Sequence, residues 1–152
     1  PFRGDNLIRL TKQTDYALVL LALMSKAAEG EKWSASDIAD RSGVPAPMVG
    51  KILKTLTRSE ILESHRGVKG GYSLARPASQ ISVAEVIAVF EGPIGLTECS
   101  HEHGIECECD LSRNCPTAGA WGLISQAVVR ALDGLTVEEM SRPMNLAGMA
   151  AE

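Results

Sequence analysis

The sequence predicts a mainly α-helical protein with one small β-hairpin: a winged helix-turn-helix followed by a long C-terminal dimerisation helix. Three observations predict this class. Two apolar-periodic segments flank a tight turn at residues 42–45, two strand-like segments flank a glycine-rich loop at 66–71, and a final helical segment carries apolar residues at spacings of three and four. With 152 residues, 45% of them apolar, the chain is expected to form one domain with a helical appendage.

A first helix is predicted around residues 16–24, a run of nine apolar residues. Thr11 or Thr14 can cap its start, and the pattern fades by Glu29 and Gly30. A helix that is apolar on nearly all sides has to be buried on several faces. The run is shorter than the roughly 18 residues that cross a bilayer, so we expect neither a membrane span nor a secretory signal.

Residues 34–58 predict two helices, with Ser34 or Ser36 capping the first. The second carries an apolar stripe at i, i+3, i+4 and i+7, formed by Val49, Ile52, Leu53 and Leu56. Its opposite face carries Lys51, Lys54, Thr55 and Arg58. This is the helix-turn-helix pattern, whose second helix enters the major groove of DNA. Pro47 and Met48, at the start of that helix, are placed to approach thymine methyl groups.

Two strands are predicted at residues 61–65 and 72–74, joined by the loop 66–71. Three glycines in this loop supply the positive φ angles that a hairpin turn requires. Arg66 and Lys69 lie at the hairpin tip, where they can reach a minor groove or phosphates. The hairpin therefore predicts a wing.

A fourth helix is predicted from the capping-box sequence at residues 82–85 up to Gly92, and a loop of about 22 residues follows at 93–114. Pro116 is suited to open a long helix. Its apolar seam consists of Trp121, Ile124, Val128, Ala131 or Leu132, and Leu135. We expect that seam to pack on its own copy in a twofold homodimer. Thr136 is predicted to cap one more short helix.

Charge is distributed unevenly along the chain. The formal net charge is −4, but residues 41–76 contain seven basic and two acidic side chains, so that segment is +5 and the remainder is −9. The basic segment coincides with the helix-turn-helix and the wing, as contact with phosphates requires. We therefore expect double-stranded DNA as a partner. A solvated helix face or a protein-docking module would explain the basic helix alone.

All four cysteines, Cys99, Cys107, Cys109 and Cys115, fall within 17 residues. A chain of this size does not need disulfides, so we expect a reducing, cytoplasmic compartment and metal or redox chemistry. Thiolates select iron–sulfur clusters, zinc or copper(I), and the paired C-x2-C knuckles usual for zinc are missing. His101 and His103 are further candidate ligands, although loop histidines are more often solvated.

Several stretches resemble the Rrf family of iron–sulfur winged-helix regulators. They are residues 10–17 (LTKQTDYA), the helix-turn-helix, residues 66–72 (RGVKGGY), and Cys109 and Cys115 followed six residues later by Trp121. The resemblance covers residues 8–140 and is closest to regulators of the SUF system of iron–sulfur assembly. It implies that the cluster-loaded protein represses genes for cluster assembly.

By this resemblance, three cluster ligands fall on Cys99, Cys109 and Cys115, and the fourth varies within the family. The histidine of IscR-like members is replaced here by Ala118. The aspartate that NsrR-like members contribute from the other subunit matches Asp15, although an acid in the first turn of a helix normally just stabilises the helix dipole. Nine residues, rather than about five, separate Cys99 from Cys109, and Cys107 is additional. Either Asp15 or Cys107 can complete the site.

These inferences predict a homodimeric iron–sulfur-sensing transcription regulator, not an enzyme, with a 2Fe-2S cluster favoured over 4Fe-4S. The predicted units are the DNA-binding domain at 8–92, the cluster-binding loop at 93–115 and the dimerisation helix at 116–141; residues 1–7 and 143–152 are expected to be disordered. Alternatives are a zinc-stabilised docking adaptor, a nitric oxide or redox sensor of the same family, and a thiol-redox protein using Cys107 and Cys109. Five carboxylates in residues 98–110 disfavour the last, because thiolates form less readily beside negative charge.

Overall fold

The computed structural model describes residues 9–28, 30–97 and 115–142. Within them it contains six α-helices, one 3-10 helix and a two-stranded antiparallel sheet. The elements are α1 (Lys12–Met24), α2 (Ala35–Ser42), α3 (Ala46–Arg58), β1 (Leu62–His65), β2 (Gly71–Leu74), the 3-10 helix (Ala78–Gln80), α4 (Val83–Glu91), α5 (Ala118–Asp133) and α6 (Val137–Ser141). The predicted class, mainly helical with a hairpin wing, is confirmed.

Helix α1 begins where the sequence predicts and ends earlier. The Thr11 hydroxyl accepts a hydrogen bond from the amide of Thr14 and so caps the first turn. The helix ends at Met24, before the predicted fading at residues 29–30, because the amides of Lys26 and Ala27 bond to carbonyls three residues back instead of four. Its core-facing side is fully buried, whereas Val19 is exposed, so the helix is not covered on every side.

Helices α2 and α3 form the predicted helix-turn-helix. Ser34 caps α2 in a complete capping box with Asp37, and Gly43 ends that helix with a φ of 71°. The four stripe residues of α3 have no exposed surface: Val49, Ile52, Leu53 and Leu56. Because this stripe is buried, α3 is held on the core with its basic face outward.

The wing is anchored to the segment before α2 through Trp33. β1 and β2 pair with Leu62 opposite Leu74 and His65 opposite Gly71. Trp33, for which the sequence predicted no role, forms a main-chain bridge with Tyr72. The backbone N–H of Trp33 donates to the Tyr72 carbonyl at 3.1 Å, and the backbone N–H of Tyr72 donates to the Trp33 carbonyl at 2.8 Å. A Cβ on Gly71 would lie 2.7 Å from the Trp33 carbonyl oxygen. Glycine is therefore required for this pairing.

Two predicted helix starts need correction. The Ser82 hydroxyl accepts from the Glu85 amide, but the reciprocal half of the predicted capping box is wrong, because the Glu85 carboxylate binds Arg76 instead. Helix α5 begins at Ala118; Pro116 lies in the turn before it and does not open the helix. The cap predicted at Thr136 is confirmed, and Glu139 completes it as a capping box.

The chain returns to the core after α5. The amide of Val83 donates to the Leu135 carbonyl at 2.8 Å, and the amide of Val137 donates to the Ile81 carbonyl at 3.0 Å. Val137 is buried in the same core as Ile81. The C-terminal end of α5 is thereby fixed to the winged part.

The predicted apolar seam of α5 divides in the structure. Leu132 packs against the core and Val128 is half-buried, while Trp121 and Ile124 are 38% and 44% exposed. Leu135 lies beyond the end of the helix. The seam is therefore packed on the core toward the end of α5 and exposed toward its start. In the described part of the chain, no helix combines the length and apolar content needed to cross a bilayer.

Candidate nucleic-acid interface

The outward face of α3 carries the predicted DNA contacts. Lys51, Lys54, Arg58 and Pro47 are exposed, and Met48 and Thr55 are half-buried. The Thr55 hydroxyl donates to the Lys51 carbonyl at 3.2 Å, so its proton is already used inside the helix. α3 contains no acidic residue. Its outward face can therefore approach a polyanion without like-charge repulsion.

The tip of the wing exposes both predicted cations, Arg66 and Lys69. The turn closes by a 2.9 Å hydrogen bond from the Gly70 amide to the Gly67 carbonyl, with Gly67 at a φ of 103°. A Cβ on Gly70 would clash with the carbonyl oxygen of His65, so the backbone geometry of the tip requires glycine at both positions. The side chains of the loop are exposed. The cations lie at the end of the hairpin.

One guanidinium connects the end of α3 to the elements that follow the wing. Glu60 adopts a left-handed φ of 59°, which turns the chain from α3 into β1. Arg76 donates to the Glu60 carbonyl at 3.3 Å and to the Gln80 carbonyl at 3.2 Å, and it forms an ion pair with Glu85. Arg76 was counted in the +5 segment, but its charge is paired within the chain. It is therefore a structural residue, and hydrophobic periodicity carried no signal for it.

A second basic residue of that segment also has a partner inside the chain. The guanidinium carbon of Arg41 lies 4.4 Å from the centroid of the Trp33 ring, a cation–π contact. Trp33 in turn pairs with Tyr72 in the wing. Arg41 therefore lies beside the junction of α2 and the wing while its side chain stays exposed.

Glu91 joins the end of α4 to the start of α1. Its carboxylate accepts hydrogen bonds from the Thr11 amide and hydroxyl, both at 2.8 Å, and from the Thr14 hydroxyl. The Thr14 hydroxyl, and then the two Thr11 donors, lower the pKa of Glu91 below its ordinary value. Thr14 is completely buried. The first turn of α1, which carries the exposed Asp15, is thus fixed to the residues that lead into the cysteine region.

The predicted metal ligands fall largely outside the described residues. That is the case for Cys99, Cys107 and Cys109, and for His101 and His103. Cys115 is half-buried just before α5, with its Sγ 3.3 Å from the Thr117 hydroxyl oxygen. In the described ranges, no three His, Cys, Asp or Glu side chains come together in a way that could hold a metal ion.

A groove of about 590 Å³ separates α4 from α5. Ala88 and Ile94 line one side of it, and Gly122 and Val129 line the other. Ser125, which is buried, accepts a 3.4 Å hydrogen bond from the Leu96 amide. The chain that leads from α4 toward the cysteines is therefore held against α5.

Comparison with known proteins agrees with this architecture. A family model described as Rrf2, iron-dependent transcriptional regulator, matches residues 10–143. Protein aau3 of Rhizobium meliloti (strain 1021) is 40% identical over 134 residues, covering 88% of this chain and 84% of that protein. The family model spans α1 to α6, including the cysteine region.

Two solved structures show the same fold. The global cysteine regulator CymR (YrzC) of B. subtilis superposes with a TM-score of 0.66 at 25% identity, covering 88% of this chain and 96% of CymR. IscR of T. potens superposes with a TM-score of 0.65 at 21% identity, covering 95% and 94%, which shows the fold alone. The winged helix is confirmed, and so is the resemblance drawn from the sequence motifs. The chain belongs to the Rrf2 family and is a DNA-binding transcriptional regulator rather than an enzyme.

Proposed function

We propose that this regulator is a homodimeric, iron–sulfur-sensing repressor that reads double-stranded DNA through α3 and the wing. The observation that carries the proposal is the outward face of α3, where Lys51, Lys54 and Arg58 are exposed and no acid is present. In this arrangement the three cations contact phosphates, while Pro47 and Met48 approach thymine methyl groups in the major groove.

The wing adds a second set of contacts. Arg66 and Lys69, exposed at its tip, reach the flanking minor groove or its phosphates. Because Tyr72 pairs with Trp33 in front of α2, the wing is tied to the helix-turn-helix. The two sets of contacts are therefore expected to act as one unit on each half-site.

Dimerisation is assigned to α5. Trp121, Ile124 and Val128, at i, i+3 and i+7, share one apolar edge of that helix, with the first two exposed and Val128 half-buried. Burying such side chains is the usual driving force for association. A copy of α5 presents the same edge, so a twofold contact pairs like with like. Two α3 helices in such a dimer would read half-sites about one turn of DNA apart.

The donor set fits an iron–sulfur cluster by its chemistry. Cys115 lies directly before α5, where backbone N–H groups favour a negative ligand, and three more cysteines precede it within 17 residues. We assign Cys99, Cys109 and Cys115 as ligands, with Cys107 or Asp15 of the partner subunit as the fourth. When bound, a 2Fe-2S cluster would supply a link between these residues that is sensitive to oxidation, nitric oxide and iron supply.

The structure supports a route from this region to α3. The chain leaving α4 is held by Glu91 to α1 and by Ser125 to α5, and the residue after the loop is Cys115. A link between the loop and α5 therefore constrains how α5 sits on the winged part. In a dimer joined through α5, that angle sets the separation of the two α3 helices, and hence the DNA affinity.

We assign genes of iron–sulfur cluster assembly as targets, with the cluster-loaded form repressing them in the cytoplasm. A second candidate is control of cysteine metabolism, which the likeness to CymR favours, since that structure is described as a global cysteine regulator. A zinc-stabilised docking adaptor, the alternative left open by the sequence, conflicts with membership of the Rrf2 family of transcriptional regulators.

Anaerobic absorption spectra, with iron and sulfide analysis before and after chelation, test the cofactor. The same samples then bind the DNA upstream of the protein's own gene in a gel shift. We expect a brown protein with matched iron and sulfide, whose affinity for this DNA falls on chelation. The matched control replaces Cys99, Cys109 and Cys115 by Ser and should stay colourless.

Three results would contradict the proposal. Protein that remains colourless after anaerobic reconstitution excludes the cluster. One zinc per chain without DNA binding supports the adaptor. A cluster-free protein whose DNA affinity responds to cysteine or a cysteine precursor supports the second candidate.

A further inference from the structure

Gly50 is an exposed glycine in the second turn of α3, and nothing in the chain requires it to be glycine. A Cβ built at this position would have no atom within 4 Å apart from the neighbouring backbone of its own helix. Its φ is not positive, in contrast to Gly43 and Gly71, where the backbone conformation calls for glycine. Neither packing nor conformation within the chain explains the residue.

Glycine also has a cost at this position. It lowers helix stability relative to alanine, because the unfolded chain loses more conformational freedom when it is fixed in a helix. Alanine would fit here without a clash and would strengthen α3. Because α3 is the helix assigned to the major groove, the open space at Gly50 lies on a surface that faces a partner outside this chain.

The surroundings of Gly50 indicate what that partner is. On a helix, Pro47 and Lys54 are its neighbours at i−3 and i+4, and both are exposed. Ala46, one turn earlier, is small and exposed as well. The buried stripe of α3 lies on the other side of the helix. Gly50 is thus a gap, bordered by a cation, on the face assigned to the major groove.

We propose that Gly50 is the point of closest approach between α3 and the bases, and that it determines sequence specificity. Without a side chain, the helix backbone can lie directly against base edges in the groove, while Lys51 and Lys54 reach the phosphates. A methyl group at residue 50 would hold the helix away from those edges. This inference rests on the proposed role of α3 in the major groove.

The test begins with a DNA duplex selected from a random pool by the wild-type protein, and a scrambled duplex of the same composition. We expect Gly50→Ala to raise the melting temperature of the protein and to weaken binding to the selected duplex by at least about tenfold. Gly50→Val should weaken it further, because its side chain is larger. Binding to the scrambled duplex should change by less than about twofold, since it depends on phosphate contacts. A new selection with Gly50→Ala should change the preferred bases at one or two adjacent positions.

Two controls separate the possible outcomes. Gly119→Ala changes another exposed helical glycine with nothing within 4 Å, on α5, and should leave both affinities unchanged. The double substitution Lys51→Ala and Lys54→Ala should weaken binding to both duplexes. If it weakens neither, the proposed role of α3 fails. If it weakens both while Gly50→Ala changes neither affinity nor preference, or weakens both duplexes equally, only the role of Gly50 is overturned.

Discussion

Nη2 of Arg76 lies 2.5 Å from both carboxylate oxygens of Glu85, so a residue that follows the wing is bound to the first turn of α4. The same guanidinium donates to the carbonyl of Glu60 at the end of α3. The two side chains are 30% and 39% exposed, which leaves the pair partly shielded from water. The recognition helix, the wing and α4 therefore share one electrostatic junction.

A double-mutant cycle tests this junction. Arg76→Met and Glu85→Gln should each lower the free energy of unfolding, and the pair should be coupled by about 1 kcal/mol, the upper range for a partly exposed ion pair. Urea unfolding of the four proteins measures the coupling. Additive effects would show that the ion pair contributes nothing beyond its separate side chains.

Gly71→Ala should destabilise the wing. Residue 71 has a φ of 145°, and a Cβ there would lie 2.7 Å from the Trp33 carbonyl oxygen, so the bridge to Trp33 has to shift. We expect a loss of about 2 kcal/mol in the free energy of unfolding. Gly119→Ala, a helical site with open space, is the matched control and should not destabilise. Equal stability of Gly71→Ala and the wild type would mean that the wing accommodates the side chain.

Arg66→Ala should weaken DNA binding and make it less sensitive to salt. Arg66 is exposed at the tip of the wing, and each lost phosphate contact reduces the slope of log K against log salt by about 1. The slope is measured by fluorescence anisotropy at several salt concentrations. Lys26→Ala, an exposed lysine after α1, is the control of equal charge. An unchanged slope would remove Arg66 from the contact set.

Glu91→Gln should change how stability depends on pH. Because hydrogen bonds from Thr14 and Thr11 lower the pKa of Glu91 in the folded protein, its ionised form stabilises the fold above the pKa of the unfolded chain. That contribution to stability is lost as the pH falls through the lowered pKa of Glu91 in the folded protein. The carboxylate is exposed, so the advantage of the wild type at neutral pH should not exceed about 1 kcal/mol. Thermal unfolding should show the two proteins converging as the pH falls below the ordinary pKa of a glutamate; a difference independent of pH would contradict the assignment.

Cys107→Ser and Asp15→Asn distinguish the two candidates for the fourth cluster ligand. The true ligand, once replaced, should leave a reconstituted protein with less iron and an altered visible absorption spectrum, because one coordination position changes. The other variant should match the wild type. If both variants bind iron and sulfide like the wild type, neither residue is the ligand.

Elements with strong local signals could be predicted from the sequence. The start of α2 at Ser34 and its end at Gly43 depend on hydrogen bonds and backbone conformation within a few residues. The buried stripe of α3 depends only on helical spacing. By contrast, the pairing of Trp33 with Tyr72 joins distant parts of the chain, and no local pattern indicates it.

The predicted capping box of α4 was wrong because two groups compete for the Glu85 carboxylate. Glu85 has the spacing of a capping box, but Arg76 offers its carboxylate an ion pair that only the folded chain brings within reach. For the candidate interface, the cations of α3 follow from charge and periodicity. Charge and periodicity gave no signal for Gly50, because both depend on the side chains that are present. The role proposed for Gly50 depends on the space left by the side chain that glycine lacks.

The hydrogen bonds from Val83 to Leu135 and from Val137 to Ile81 have a mechanical consequence for α5. They make the C-terminal end of this helix a fulcrum, and Cys115 precedes the opposite end. Sixteen residues at 1.5 Å each give a lever arm of about 24 Å. A tilt of about 5° at the fulcrum therefore displaces the far end by about 2 Å. A ligand bound to Cys115 acts at the full length of α5 from the fulcrum, so a small force there produces a large torque on the winged part.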